Sequence, residues 1–179
     1  MGQNKLLMKI NEEIIIEKVI KEVKKSEIEK IYIVTNNEEI KNIAYKFDIK
    51  VIENKEAIKG QSEGIKAAVK EIKENDDYMF FCGDQPFIDY ITINNLIYES
   101  KRNKDKIVVP ILGNRRGNPV IFPKNFRTDL LKLEGDIGGR HIIRTHNDKV
   151  VFFEVENKLF LKDIDNHEEY NEIIKMIKE

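Results

Sequence analysis

Asp84 stands at the end of the stretch Tyr78-Met79-Phe80-Phe81-Cys82-Gly83-Asp84-Gln85-Pro86. A continuous apolar run closed by breakers predicts a strand buried on both faces. Gly83 permits a sharp turn, and Pro86 stops the strand from continuing. That sets a carboxylate at the carboxyl end of a central strand, the edge where open α/β sheets bind ligands. A hard oxygen donor there suits Mg²⁺ carrying phosphates. The plainer reading is an Asp that forms a turn after a buried strand. Other groups carry less. His141, His146 and His167 lack metal-ligand spacing with cysteine or acidic partners. Cys82 lies inside the predicted strand, where a free thiol is more often core than catalytic. No nucleophile, base and acid fall in an order that suggests a triad.

The elements that must position Asp84 follow from periodicity. Ile15, Ile16, Val19, Ile20 and Val23 keep a 3.6-residue rhythm and predict a helix over 11–25. Strands are expected at 31–35, 50–52, 78–82, 107–110, 118–122 and 150–155. Helices are expected over 37–47, 60–74, 89–103, 126–133, 137–146 and 167–178. Strands alternating with helices of this length predict crossover units. The fold class is therefore α/β, a Rossmann-like three-layer sandwich with a mostly parallel sheet. Gly113-Asn114-Arg115-Arg116-Gly117-Asn118-Pro119 reads as a loop within one domain.

Composition narrows the class of partner. The chain has 179 residues, a length suited to one domain. Lys+Arg (31) nearly balance Asp+Glu (32), so no global basic field exists for nucleic acid or a membrane surface. No apolar run approaches a membrane span, and no secretory signal opens the chain. A single cysteine excludes an internal disulfide framework and fits a reducing cytoplasm.

Five segments in order then point to a family: Met1-Gly2-x-x-Lys5, Gly83-Asp84-Gln85-Pro86, Arg116-Gly117-Asn118-Pro119, Gly135-Asp136-x-Gly138-x-Arg140 and Asp163-Ile164-Asp165. Together they resemble the molybdenum-cofactor cytidylyltransferases, within the molybdopterin nucleotidyltransferase-like enzymes. The resemblance implies a nucleotide-diphospho-sugar transferase type of fold. It implies transfer of CMP from CTP, with Mg²⁺, to a molybdopterin-type acceptor and release of pyrophosphate. The product would serve a molybdenum hydroxylase, a possible partner.

The resemblance also implies roles. Asp84 and Asp165 would hold the metal. Gly2 and Lys5 would contact the triphosphate, with Asp84 and Lys5 as the catalytic pair. Gly60, Gln61 and Ser62, with Gly83, would bind the nucleotide. Arg116, Gly117, Asn118, Asp136 and Arg140 would face the acceptor. Plainer readings stand beside these: Asp163 as a helix cap, Ser62 as an N-cap, Arg140 in a surface salt bridge, Lys5 solvated near a terminus. The family opens with a strand and the loop L-A-A-G-x-S-x-R before Met-Gly-x-x-Lys, and only the tail is present here. The domain over 1–179 is thus expected to be N-terminally incomplete, through truncation or through a rebuilt sheet. Two other functions compete: a non-catalytic member that binds a ligand or partner, and a sugar-phosphate nucleotidyltransferase.

Overall fold

The structure is a computed structural model that describes residues 4–73, 75–164, 169–171, 173 and 175. It opens with a short 3-10 turn, Lys5–Leu7, capped by the Asn4 side chain, which accepts a hydrogen bond from the Leu6 N–H at 3.1 Å. A two-residue hairpin follows, β1 (Lys9–Ile10) and β2 (Glu13–Ile14). Its turn residues Asn11 and Glu12 both have positive φ, 50° and 66°, as a tight primed turn requires. The helix expected from residue 11 therefore begins only at Ile15: α1 is Ile15–Lys25.

The remaining elements alternate. They are β3 (Tyr32–Val34), α2 (Glu38–Lys46), β4 (Lys50–Ile52), α3 (Gln61–Glu71), β5 (Tyr78–Phe80), α4 (Tyr90–Arg102) and β6 (Ile107–Leu112). Then come β7 (Arg115–Arg116), β8 (Val120–Phe122), α5 (Arg127–Leu131), α6 (Arg140–Thr145) and β9 (Val150–Glu154). The strands entered from a helix, β3, β4, β5, β6 and β9, form the crossover set. β3 and β4 pair parallel, as do β6 and β9. β8 lies antiparallel between β5 and β6, so those two share one sense. β7, expected as loop, pairs back onto β6 through Ile111↔Arg116 and Leu112↔Arg115.

Three layers result. Tyr78, Val120, Phe122, Ile107 and Val109 pack on one face of the sheet with Val69 of α3, Leu130 of α5 and Ile142 of α6. Met79, Ile121 and Val108 alternate onto the other face, against Val19 of α1 and Ile93 and Leu96 of α4. The period of two across β5, β8 and β6 is what a strand buried on both sides must show. Arg127 ties α3 to this layer, its guanidinium donating to the Val69 and Ile72 carbonyls and to the Tyr78 hydroxyl. Helical residues 169–171, 173 and 175 bring Ile173 onto Ile10, Ile15 and Ile164. No helix among the described residues is long and apolar enough to cross a membrane.

The β3–β4 pair and the larger sheet share no ladder among the described residues. Between them lies a cavity of about 580 Å³, bordered by Tyr32, Ile33 and Val34 on one side and Tyr78, Met79 and Phe80 on the other.

Candidate active site

β5 ends at Phe80, short of the expected 78–82 strand, so Cys82 lies past it and Asp84 stands four residues beyond its carboxyl end, in a turn with Gly83. A Cβ on Gly83 would come within 3.0 Å of Ile16 Cδ1 and 3.5 Å of Leu6, so the glycine lets the 5–7 turn close over this point. Lys5 Nζ then sits 2.7 Å from Asp84 Oδ2, with the two side chains 30% and 22% exposed. The N-terminal lysine and the strand-end carboxylate, 79 positions apart in numbering, are thus brought together (84 − 5). The Asp84 carbonyl accepts a hydrogen bond from the Ile164 N–H at 3.1 Å, which moors the Asp163-Ile164 segment at the same corner. Asp165, the second expected metal ligand, lies outside the described residues, as does Gly2.

Other charges gather here. Asp163 Oδ1 takes a 2.9 Å ion pair from Arg115 Nη2. The Asn118 amide donates to Cys82 Sγ at 3.0 Å, and the Asn118–Pro119 peptide is cis. Burial pushes the Cys82 thiol up to about 11. The Asp84 and Asp163 carboxylates push the same way, while Arg140 and Lys5 oppose them. Cys82 therefore lies within electrostatic reach of Lys5, Asp84, Asp163 and Arg140. At this pKa the thiol is protonated near neutrality and is no nucleophile.

Two further loops carrying expected site residues are clasped together. Gly60 has φ 116° and ψ 179°, a conformation essentially reserved for glycine. A Cβ there would stand 2.4 Å from the Gly135 carbonyl carbon and 2.8 Å from the Asp136 nitrogen. The close approach is locked by the Ser62 N–H donating to the Gly135 carbonyl at 3.0 Å. The Gln61 N–H donates to Asp136 Oδ1 at 3.3 Å, so Asp136 serves the first turn of α3 as an acidic cap. A Cβ on Gly138 would meet Gln61 Oε1 at 2.9 Å. The segment 60–62, expected to bind the nucleotide, and the segment 135–138, expected to face the acceptor, are therefore joined, a contact that spacing alone does not reveal.

Not every expected residue faces the cluster around Asp84. The Arg116 guanidinium lies over the Phe152 ring, 4.7 Å from its centroid. Gly117 is where the chain crosses Leu161, whose Cδ2 would be 2.5 Å from an added Cβ. Ser62 is 0% exposed and its hydroxyl has no hydrogen-bond partner among the described residues; Gly60, not Ser62, occupies the N-cap. Gln85 is missed by sequence reasoning: it is 4% exposed and its Oε1 also lacks a partner among the described residues. A glutamine beside a strand-end carboxylate is a weak signal for burial, since Gln is usually exposed. Asn118 on Cys82 and Arg115 on Asp163 likewise have no signal in spacing.

Metal binding is tested by the donors present. Among the described residues no group of three or more His, Cys, Asp or Glu could hold an ion by protein ligands alone. Mg²⁺ does not need one, because it is commonly held by one or two carboxylates, substrate phosphates and water. The partly exposed Asp84 carboxylate at the sheet edge fits that demand.

Known proteins resemble this chain in sequence and in fold. The chain is 33% identical over 113 residues to a 3-deoxy-manno-octulosonate cytidylyltransferase of Rickettsia felis, covering 62% of this chain and 46% of that protein. It thus spans less than half the length of the curated relatives it matches. Two solved structures share the fold. One is the manganese complex of Rv0371C from Mycobacterium tuberculosis, with TM-score 0.81, 14% identity and coverage of 96% of this chain and 91% of that one. The other is a CMP:2-keto-3-deoxy-manno-octonic acid synthetase bound to CTP, with TM-score 0.77, 10% identity and coverage of 97% and 91%. The expected α/β sandwich of the nucleotide-diphospho-sugar transferase type is the fold found. The model of the MobA-like NTP transferase domain matches residues 1–150, and the chain belongs to that family.

Proposed function

We propose that this chain carries the active site of a Mg²⁺-dependent nucleotidyltransferase that uses CTP. The observation that carries the reading is the Lys5–Asp84 pair past the carboxyl end of β5, moored to Asp163-Ile164. An acceptor oxygen attacks the α-phosphorus of CTP, the bond to the bridging oxygen breaks, and pyrophosphate leaves with that electron pair. Mg²⁺ bound at Asp84 would supply charge neutralisation for the phosphates. The chain's own residues would position and stabilise: Asp84 would hold the metal, with Asp165 beside it on the family resemblance, and Lys5 would turn from Asp84 toward the triphosphate. The 60–62 rim holds the base, and Arg140 faces the acceptor. No protein nucleophile is required, since positioning and preorganised charge suffice for such a transfer.

The acceptor is proposed to be of the molybdopterin type, on the family resemblance of the Arg116-Gly117-Asn118-Pro119 and Gly135–Arg140 segments. A sugar-acid acceptor is the second reading, favoured by the curated relatives, whose name is 3-deoxy-manno-octulosonate cytidylyltransferase. Pyrophosphate release from CTP, measured with each acceptor class and with GTP in place of CTP, separates them. Release only with the sugar acid overturns the molybdopterin assignment. No release with any acceptor, alongside retained micromolar CTP–Mg²⁺ binding, points to a binding member without turnover.

A further inference from the structure

β9 ends the larger sheet on the side away from β5, and β6 is its one ladder partner among the described residues. The Val155 N–H donates to the Ile111 carbonyl at 2.9 Å, and Ile111 is registered with Glu154. Main-chain groups of a strand alternate in direction from one residue to the next, so Val151, Phe153 and Val155 turn theirs toward β6. Val150, Phe152 and Glu154 turn theirs away from the sheet. Such an edge is a template for another strand. Proteins blunt edges with lysine, proline, bulges or very short strands. β4, one edge of the smaller sheet, is three residues long and opens with Lys50. β9 is Val150-Val151-Phe152-Phe153-Glu154, five residues with neither lysine nor proline. Glu154, its one charged residue, has Oε1 turned back onto the Gly113 N–H at 2.7 Å. The apolar side chains are incompletely covered. Phe152 is 39% exposed, and Val150, Val151 and Phe153 are half-buried although their β6 partners Ile107, Val108 and Pro110 are buried.

We infer that β9 pairs antiparallel with β9 of a second copy of this chain, about a two-fold axis beside Phe152. Self-complementarity chooses the occupant. A two-fold axis perpendicular to the sheet must set a residue opposite its own copy, since paired side chains share a face. Centred at Phe152, it joins Phe152 to Phe152 and Val150 to Glu154 as hydrogen-bonded pairs, which uses every outward N–H and C=O of the strand. A slip of two residues in either direction leaves Val150 or Glu154 of each copy without a partner. Charge agrees with this direction. Lys149 precedes the strand and Glu154 ends it, so an antiparallel copy brings each basic end to an acidic end. The Phe152 rings then meet across the axis, and aromatic cross-strand pairs are favourable. The Arg116 guanidinium, 4.7 Å from the Phe152 centroid, lies beside the same axis. Two segments proposed to face an acceptor, one from each copy, therefore come to lie on one continuous sheet.

The test follows the 179-residue chain by sedimentation between about 1 and 100 μM, the range of a small interface. Hydrogen exchange at single amides is read over the same range. The mass is expected to rise to that of a dimer, with exchange at Val150, Phe152 and Glu154 slowed at least about tenfold. Val151 and Phe153, which already bond β6, are expected not to change with concentration. Phe152→Lys sets like charges opposite each other and is expected to be a monomer with an unchanged circular dichroism spectrum. Should that variant not fold, Phe152→Pro replaces it, because an edge strand accepts proline where the N–H faces outward. Exchange in the unchanged chain decides the matter without either variant. A monomer at every concentration overturns the inference. So does a dimer whose Val150, Phe152 and Glu154 amides exchange freely, or a folded Phe152→Lys chain that still dimerises.

Discussion

Replacing Gly60 by alanine puts a methyl group into a backbone crossing with no room for it. The new Cβ would stand 2.4 Å from the Gly135 carbonyl carbon and 2.5 Å from its oxygen, and both are backbone atoms that cannot swing aside. Two costs add. Holding a non-glycine residue at φ 116° and ψ 179° takes about 1–3 kcal/mol. Separating the loops by the needed distance breaks the Ser62 N–H to Gly135 and Gln61 N–H to Asp136 hydrogen bonds, about 1 kcal/mol each. The sum is about 3–5 kcal/mol, a large part of a domain's typical margin of about 5–15 kcal/mol. Gly135→Ala isolates the first cost. Gly135 also has positive φ, 62°, but nothing lies within 4 Å of its added Cβ. That variant should lose about 1–2 kcal/mol from left-handed strain alone. Urea unfolding of both variants, followed by circular dichroism in one buffer, measures the difference. Gly60→Ala is expected to be the worse by about 2–3 kcal/mol. If the two are equal, the clasp between the loops is not held as described.

Asp84→Asn should cut turnover by several kcal/mol of lost charge stabilisation, on the order of a thousandfold. Its Lys5 pair is partly exposed, so stability should move by less than about 1 kcal/mol; loss of both together in a melt and a pyrophosphate assay would contradict the assignment. Ser62→Ala removes a buried hydroxyl without a partner, so chemical denaturation should show it neutral or slightly stabilised. A tenfold weaker CTP affinity in that variant would instead place the hydroxyl on the nucleotide. Arg127→Ala frees the Val69 and Ile72 carbonyls and the Tyr78 hydroxyl, and urea unfolding should report a loss of about 2–4 kcal/mol. Cys82, raised to about 11 when folded, holds its proton longer than in the unfolded chain. Its contribution to stability is therefore full below the ordinary value of 9.0 and is lost as pH rises toward 11. Alkylation near pH 8 should run about tenfold slower in the folded than the unfolded chain: thiolate falls about a hundredfold, and greater nucleophilicity returns part of it. Equal rates would refute the burial.

Much of this was legible because one physical signal dominated each element. Tyr78–Phe81 is apolar at every position because both faces of β5 meet a helix layer, and Asp84 follows at the predicted edge. The α1 stripe Ile15, Ile16, Val19, Ile20 and Val23 is buried as its spacing required. What escaped was structure made by backbone or by distant partners. The 9–14 hairpin turns on Asn11 and Glu12, and an Asn-Glu pair lacks the glycine that normally marks such a turn. β7 is two arginines held by main-chain pairing to Ile111 and Leu112, invisible to any hydrophobic pattern. The clasp of 60–62 on 135–136 joins residues some 75 positions apart, and glycine's tolerance for close approach is readable only once the neighbour is known.

That clasp has a consequence for how ligands would sense each other. One side of it is the segment proposed to hold the base, and the other is the segment proposed to face the acceptor. A ligand that tightens either loop lowers the ordering cost that its counterpart must meet, so the two affinities become linked. Thermodynamic reciprocity then requires the same factor in both directions. Whatever an acceptor does to CTP binding, CTP must do to acceptor binding, and Gly60 is the point through which that communication passes.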